Sequence, residues 1–330
     1  VTRPAGLSLS PTAVGLEVAK TVRAASFEPA IWRFNRNAHY HPREAELIQV
    51  AAMAPESQRK NARLNLVGFY LANYMGAEAK GVLDVMRKDA RNNDDITGSV
   101  LSSVADLMLH RPDDALKDLS NPRVGNQLDA PIWRGIAYTD LGKWPEAQAS
   151  FKNVDGAIAA LPVELQRLAL RKALHTAIEV RDFGGADRNL NELTTIGVPP
   201  EMQPGLNVLI GQLREAMGRT RDALASYRLA LNANPRLVQA RLLLAVTLSN
   251  LGSKQEALAE ARRVLQADSE NRQAAQFVQQ LQPQLARKPN AAELENGAIH
   301  GWLRVVPGTR PPAAAKPSGL GGVVITLSEY

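Results

Sequence analysis

Residues 201–268, EMQPGLNVLIGQLREAMGRTRDALASYRLALNANPRLVQARLLLAVTLSNLGSKQEALAEARRVLQAD, carry one pattern of small and large side chains twice. Gly218 and Gly252 stand 34 residues apart, and each is followed five positions later by an alanine, Ala223 and Ala257. In the first copy Ile210 and Gly211 precede the glycine, and Tyr227, Ala230 and Pro235 follow the alanine; the second reads Leu244, Ala245, Leu248, Gly252, Ala257, Ala261 and Val264. A period of this length belongs to units of two antiparallel helices, each burying its apolar face on the next.

Each constrained position has a physical reason. Gly211 and Ala245 sit where the first helix of a pair meets the second, and a larger side chain would hold the backbones apart. Gly218 and Gly252 end the first helix at a residue with positive φ, where a Cβ is costly. Ala223 and Ala257 open the tightly packed part of the second helix, with Tyr227 and Leu258 filling the space beside them. Pro235 stops that helix, because it lacks an N–H and its ring clashes with the preceding turn.

The pattern resembles the tetratricopeptide repeat, in the manner of bacterial scaffold proteins. The likeness is most specific in these two copies, clear at Trp133, Gly135, Tyr138, Gly142, Ala147 and Phe151, and looser across the rest of Pro55 to Arg287. It implies an all-α, right-handed superhelical solenoid whose first helices line a concave groove that binds peptides or helices. Carried over by register, the groove residues are Val208, Leu209 and Gln212, then Leu242, Leu243 and Val246 in the last two copies. Earlier pairs add Ile132, Trp133 and Ile136, and Arg171, Lys172 and His175. The variety that clamps a chaperone's C-terminal carboxylate needs Lys, Asn and Arg where the last two copies are aliphatic, so this groove is expected to be mainly apolar with one basic zone. It would take an amphipathic helix or an extended segment, with Trp133 as an aromatic anchor. The alternative is that these residues pack against the chain's own tail or adjoining helices.

Working outward, inter-helix turns fall at Gly76, His110, Gly142, Arg181, Gly218 and Gly252, which gives about six helix pairs. The expected solenoid spans 27–288, with its clearest repeats at 201–235 and 236–269. A helix over 271–287, with Ala274, Ala275, Val278 and Leu281 among several glutamines, would cap the last apolar face. Ahead of the repeats, Pro42 suits the first turn of a helix running to Met53, after a loop from Asn37 to His41. Residues 1–26 alternate Val14, Leu16, Val18 and Val22 with period two, which suggests one or two short strands. The tail 289–330 holds short strands at 299–306 and 323–327 around a Pro/Gly-rich linker. These β-like ends could pair with each other, with the solenoid, or with a further domain.

Composition agrees with helices packed through Ala and Leu: the chain is 45% hydrophobic and only 5% aromatic. It has no cysteine, which excludes disulfides, thiolate metal sites and cysteine nucleophiles. No apolar run is long enough to span a bilayer. The first residue is Val1 rather than Met, so processing or a longer parent chain is expected, and a signal peptide could have been removed. These points lean towards a periplasmic or envelope setting over the cytoplasm. The formal charge of +6 invites a nucleic-acid reading. The cations are nonetheless spread among acids such as Asp222, Glu256 and Glu260, as on solvated helix faces.

Enzymatic constellations are lacking: no phosphate loop, no nucleophile elbow, no His-Glu-x-x-His and no calcium-loop spacing of acids. Asp94–Asp95 and Asp113–Asp114 suit helix starts. His39 and His41 flank Tyr40, but His110, His175 and His300 are distant in sequence, so neither metal nor cofactor is expected. The sequence therefore points to a non-enzymatic scaffold that binds another protein through its groove. The competing expectations are a structural module of an envelope or secretion assembly with the groove permanently filled, and a nucleic-acid-binding basic solenoid.

Overall fold

The structure is a computed structural model and describes residues 27–89, 95–126, 129–286, 304–306 and 324–326. The β-like reading of 1–26 and the linker at 307–320 lie outside the described residues. Contacts divide the chain into two units, 1–251 and 252–330. The first holds α1 (Pro29–Asn37), α2 (Tyr40–Met53), α3 (Glu56–Ala72), α4 (Gly76–Asp89), α5 (Ile96–Met108), α6 (Pro112–Leu119) and α7 (Ala130–Asp140). It continues with α8 (Trp144–Ser150), α9 (Asp155–Ala159), α10 (Val163–Glu179), α11 (Phe183–Thr195), α12 (Gln203–Ala216), α13 (Thr220–Ala233) and α14 (Val238–Asn250). The second holds α15 (Lys254–Ala267), against which α16 (Arg272–Ala286) packs, and two short strands. These are β1 (Arg304–Val306) and β2 (Val324–Thr326), antiparallel with Val305 opposite Ile325.

The same device reverses the chain between the two helices of each of the first five pairs, and its residues recur at Gly252. Tyr74, His110, Gly142, Arg181, Gly218 and Gly252 all have positive φ, between 57° and 88°. Five residues beyond each stands an alanine with no exposed surface: Ala79, Ala115, Ala147, Ala186, Ala223 and Ala257. At the first five turns the next residue's N–H closes back on the carbonyl five positions earlier, as Met75 does on Tyr70, Arg111 on Asp106, Lys143 on Tyr138, Asp182 on Ala177 and Arg219 on Arg214, at 2.8–2.9 Å. This is the bond pattern that satisfies the last carbonyls of a helix. Without a glycine, the left-handed conformation costs roughly 1–2 kcal/mol. Tyr74, His110 and Arg181 nevertheless adopt it, held by that bond and by the packing of the alanine beyond.

The first turn corrects the sequence reading. The left-handed residue is Tyr74, while Gly76 begins α4; a Cβ on Gly76 would lie 3.1 Å from both the Ala105 carbonyl and Met108 Cβ. Glycine at 76 thus serves the approach of α4 to α5.

Inside the pairs, glycine marks real crowding. A Cβ on Gly211 would stand 2.3 Å from Cε1 of Tyr227, and one on Gly135 would stand 2.7 Å from Cζ of Phe151. In each case a ring of the second helix lies flat against the bare backbone of the first, a contact that a methyl group would force apart. Between Gly142 and Arg181 the chain inserts α9, which accounts for the longest interval between turns.

The first helices of successive pairs, α3, α5, α7, α10 and α12, neighbour one another in a row. Of the second helices, α4, α6, α8 and α13 each also pack on the following first helix. A further helix, α1, precedes these pairs; Phe27, Ile31 and Phe34 recur at helical spacing, and Pro29 in its first turn is compatible with a helix start. α2 begins at Tyr40, two residues before Pro42, which falls within its first turn. Among the described residues no helix is long and apolar enough to cross a membrane.

Candidate protein-binding face

Gly135 fixes which side of α7 is which. It faces the Phe151 ring just beyond α8, and Trp133, two residues earlier, points about 200° away around the helix. Trp133 therefore lies on the side of the first-helix row turned away from the second helices, where the concave groove is expected. The same logic places Leu209 opposite the Gly211–Tyr227 contact on α12.

Hydroxyls and carboxylates tie this row together. The Thr139 and Thr176 hydroxyls pair at 2.7 Å, joining α7 to α10. Glu215 on α12 accepts from the Tyr227 hydroxyl of α13 and from the Thr247 hydroxyl of α14, each at 2.7 Å. Burial first, and that bond second, raise the Tyr227 pKa, so the phenol remains a donor.

The expected groove residues divide sharply. Ile132, Trp133 and Ile136 are buried, Trp133 completely, and its indole Nε1 donates to Asp129 Oδ2 at 2.9 Å. Trp133 is therefore an interior residue in this fold and not an exposed anchor. What covers it is the chain's own beginning: the Phe27 ring meets Trp133 edge-on at 5.8 Å and Trp32 at 5.4 Å. On α5, Val100, Leu101 and Val104 are buried in the same way. Sequence reasoning had not named them as groove residues; the available signal was the apolar spacing of Val100, Leu101, Val104, Ala105 and Leu107, and the structure buries every position from Val100 to Leu107, the polar Ser102, Ser103 and Asp106 included.

The expected basic zone is charge-balanced. Lys172 pairs with Asp140 of α7. His175 lies 3.6 Å from the Glu179 carboxylate and 5.2 Å, centroid to centroid, from the Trp144 ring. Burial lowers the His175 pKa below its ordinary value, against the pull of Glu179. Arg171 beside them is half-buried.

Farther along, the row opens. Val208 and Leu209 are buried, but Gln212 is only partly covered, and its Oε1 is enclosed without a hydrogen-bond partner. On α14, Leu242 and Leu243 are half-buried and Val246 is 40% exposed. α14 is apolar nearly all round, whereas a helix with one face in water is normally polar there. Many of the unit's cations are already matched to acids: Lys80 to Asp106 and Asp118, Arg87 to Asp118, Lys117 to Asp114 and Arg219 to Asp222. Such pairing leaves those cations poorly disposed to gather phosphates. Among the described residues no three His, Asp or Glu side chains converge as a metal site would require. His41 faces Glu44 at 3.9 Å from an almost fully exposed position.

The family model of the tetratricopeptide repeat matches residues 204–237, the copy built on Gly211, Gly218, Ala223 and Tyr227. No curated protein is similar enough in sequence to match. Among solved structures, the APC/C hetero-tetramer Cut9–Hcn1 superposes with a TM-score of 0.54 at 10% identity, covering 72% of this chain and 46% of that one. At that identity the likeness is one of fold, and this chain accounts for less than half the length of its counterpart. The P58(IPK) TPR domain aligns over 72% of this chain and 68% of its own, at 18% identity and a TM-score of 0.31.

Proposed function

We propose that this chain of tetratricopeptide-type helix pairs is a non-enzymatic scaffold that holds a segment of another protein against the open part of its first-helix row, on α10, α12 and α14. Repeats of this kind serve protein–protein interaction in general. The observation that carries the reading here is α14, which shows apolar side chains at Leu242, Leu243 and Val246 where a helix facing only water would be polar. Arg171 supplies a cation beside the neutralised Lys172–Asp140 pair. The partner is an amphipathic helix or an extended segment, its apolar side on α14 and an acidic group towards Arg171.

The test begins with a partner that co-purifies with the full-length chain from its native source, titrated against Val246→Asp and Arg171→Glu. Affinity is expected to fall about tenfold or more with Val246→Asp, since an interface core tolerates no unpaired charge. The effect of Arg171→Glu should shrink as salt is raised. Unchanged affinity in both variants would remove this face from consideration.

A further inference from the structure

The geometry points to a second ligand site on the same row, over α3, α5 and α7, whose built-in ligand is the chain's own segment Phe27–Asn37. Its geometry is unlike that of a repeat helix. α1 packs on α3 and not as a hairpin with α2, its neighbour in sequence. Its C-terminal end is fastened at α3: the Arg36 guanidinium donates to the Ala72 carbonyl at 3.3 Å and lies over the Tyr74 ring at 5.0 Å. Just ahead of its other end, Phe27 reaches Trp133 on α7, two first helices farther along the row. With Phe27 two residues ahead of the helix, the segment as a whole reaches from α3 to α7, so it lies across the row and not within it.

The fastening is incomplete. Trp32 Nε1 and Asn35 Oδ1, both on α1, are buried with no hydrogen-bond partner, and burying an unpaired donor and an unpaired acceptor opposes the contact. Beyond Asn37 only Ala38 and His39 link α1 to α2 along the chain, and both are extended, so rotation there, at the cost of the stacking of Arg43 on Phe34, frees α1. On its outer side Ile31 and Phe34 are about half exposed, and the Arg43 guanidinium of α2 lies over the Phe34 ring at 5.1 Å.

The site it fills is made for an aromatic side chain set just ahead of a short helix: an edge-on indole at Trp133, with Val100 and Leu101 of α5 in the apolar row between. A partner presenting that pattern binds here by displacing α1, and the length of row available to partners is set by whether α1 is docked. This site is separate from the α10–α14 face, and either can fail without the other.

A labelled synthetic peptide of residues 24–39 tests it, titrated into the full-length chain and into its Phe27→Ala/Trp32→Ala variant. The expected result is binding to the variant at least tenfold tighter than to the unaltered chain, because the site is vacated, together with unchanged affinity for the α10–α14 partner. Equal binding to both proteins, or none to the variant, overturns the proposal. So does a variant that loses cooperative unfolding, since a segment the fold cannot do without is core and not ligand. Hydrogen exchange on the unaltered chain is a second measure: α1 amides should exchange at least a hundredfold faster than those of α3, and equal protection would overturn the displacement.

Discussion

The row of first helices is built to one plan from α3 to α14, yet its two halves present different surfaces. Over α5 and α7 the inner face is sealed, with Val100, Ile132 and Trp133 wholly buried, whereas on α14 Val246 remains 40% exposed and Leu242 and Leu243 are only half-covered. The left-handed turn residue and the tightly packed alanine beyond it recur in both halves, on Tyr74 and His110 as on Gly218. What differs is a segment outside the repeats, Phe27 and α1, that lies on one half and not on the other. A repeat array therefore specifies a curved frame, and the residues that look like groove are ligand-binding surface only where nothing in the chain already occupies them.

The contrast is most exposed to disproof at Trp133 and Val246. Trp133→Ala should destabilise the protein by about 3–5 kcal/mol, a large-to-small change in a closed core that also removes the indole N–H donor to Asp129. Val246→Ala should change stability by less than about 0.5 kcal/mol. Urea unfolding of both variants measures this, and a mild Trp133→Ala would mean that the first half is as open as the second.

Two ion pairs sharpen the same comparison. Lys80 on α4 reaches Asp106 of α5 at 2.5 Å and the Ser102 hydroxyl at 2.7 Å, and the Asp106 side chain is 1% exposed. Burial pushes the Asp106 carboxyl up, opposed by Lys80. Asp106→Ala leaves Lys80 short of its main partner and should cost about 2–4 kcal/mol. Asp140→Ala, which frees Lys172 in the more open half, should cost less than about 1 kcal/mol. Similar losses in the two variants would erase the distinction in burial.

The smallest effect is at His175. Its folded-state pKa is depressed below the ordinary histidine value, so as pH falls through that value the unfolded chain takes up the proton first. Stability present above about pH 6.5 is then lost until the pH passes the lowered folded value. Between pH 7 and pH 5.5 the unaltered chain should lose up to about 1 kcal/mol more than His175→Gln. Parallel pH profiles would mean that His175 is as solvated as a surface residue.

Much of the frame was legible because the turn chemistry is local. Gly142, Gly218 and Gly252 announce a left-handed residue, and the alanine five positions on follows from the close packing of the second helix. Even His110 and Arg181 could be found by counting from those glycines. The first pair was misjudged by two residues because Gly76 drew the turn away from Tyr74; the glycine answers a crowding against Ala105 that only the neighbouring helix reveals. α1 was not foreseen: Ile31 and Phe34 stand at helical spacing but stay exposed, and the residues that α1 buries, Trp32 and Asn35, include a polar side chain. The basic zone shrank to Arg171 for a related reason: Asp140, the partner of Lys172, is 32 residues away and belongs to another helix.

The sequence by itself determined the antiparallel helix pair, its repetition, and the places where the backbone must enter positive φ or come within reach of a ring. These are set by one residue and its neighbours within a few turns of chain. Tertiary structure alone decided which groove residues are covered, which cations are neutralised, and that the segment from Phe27 through α1 reaches from α3 to α7. Those outcomes depend on contacts such as Phe27 with Trp133, between residues more than a hundred positions apart, whose meeting no local preference encodes.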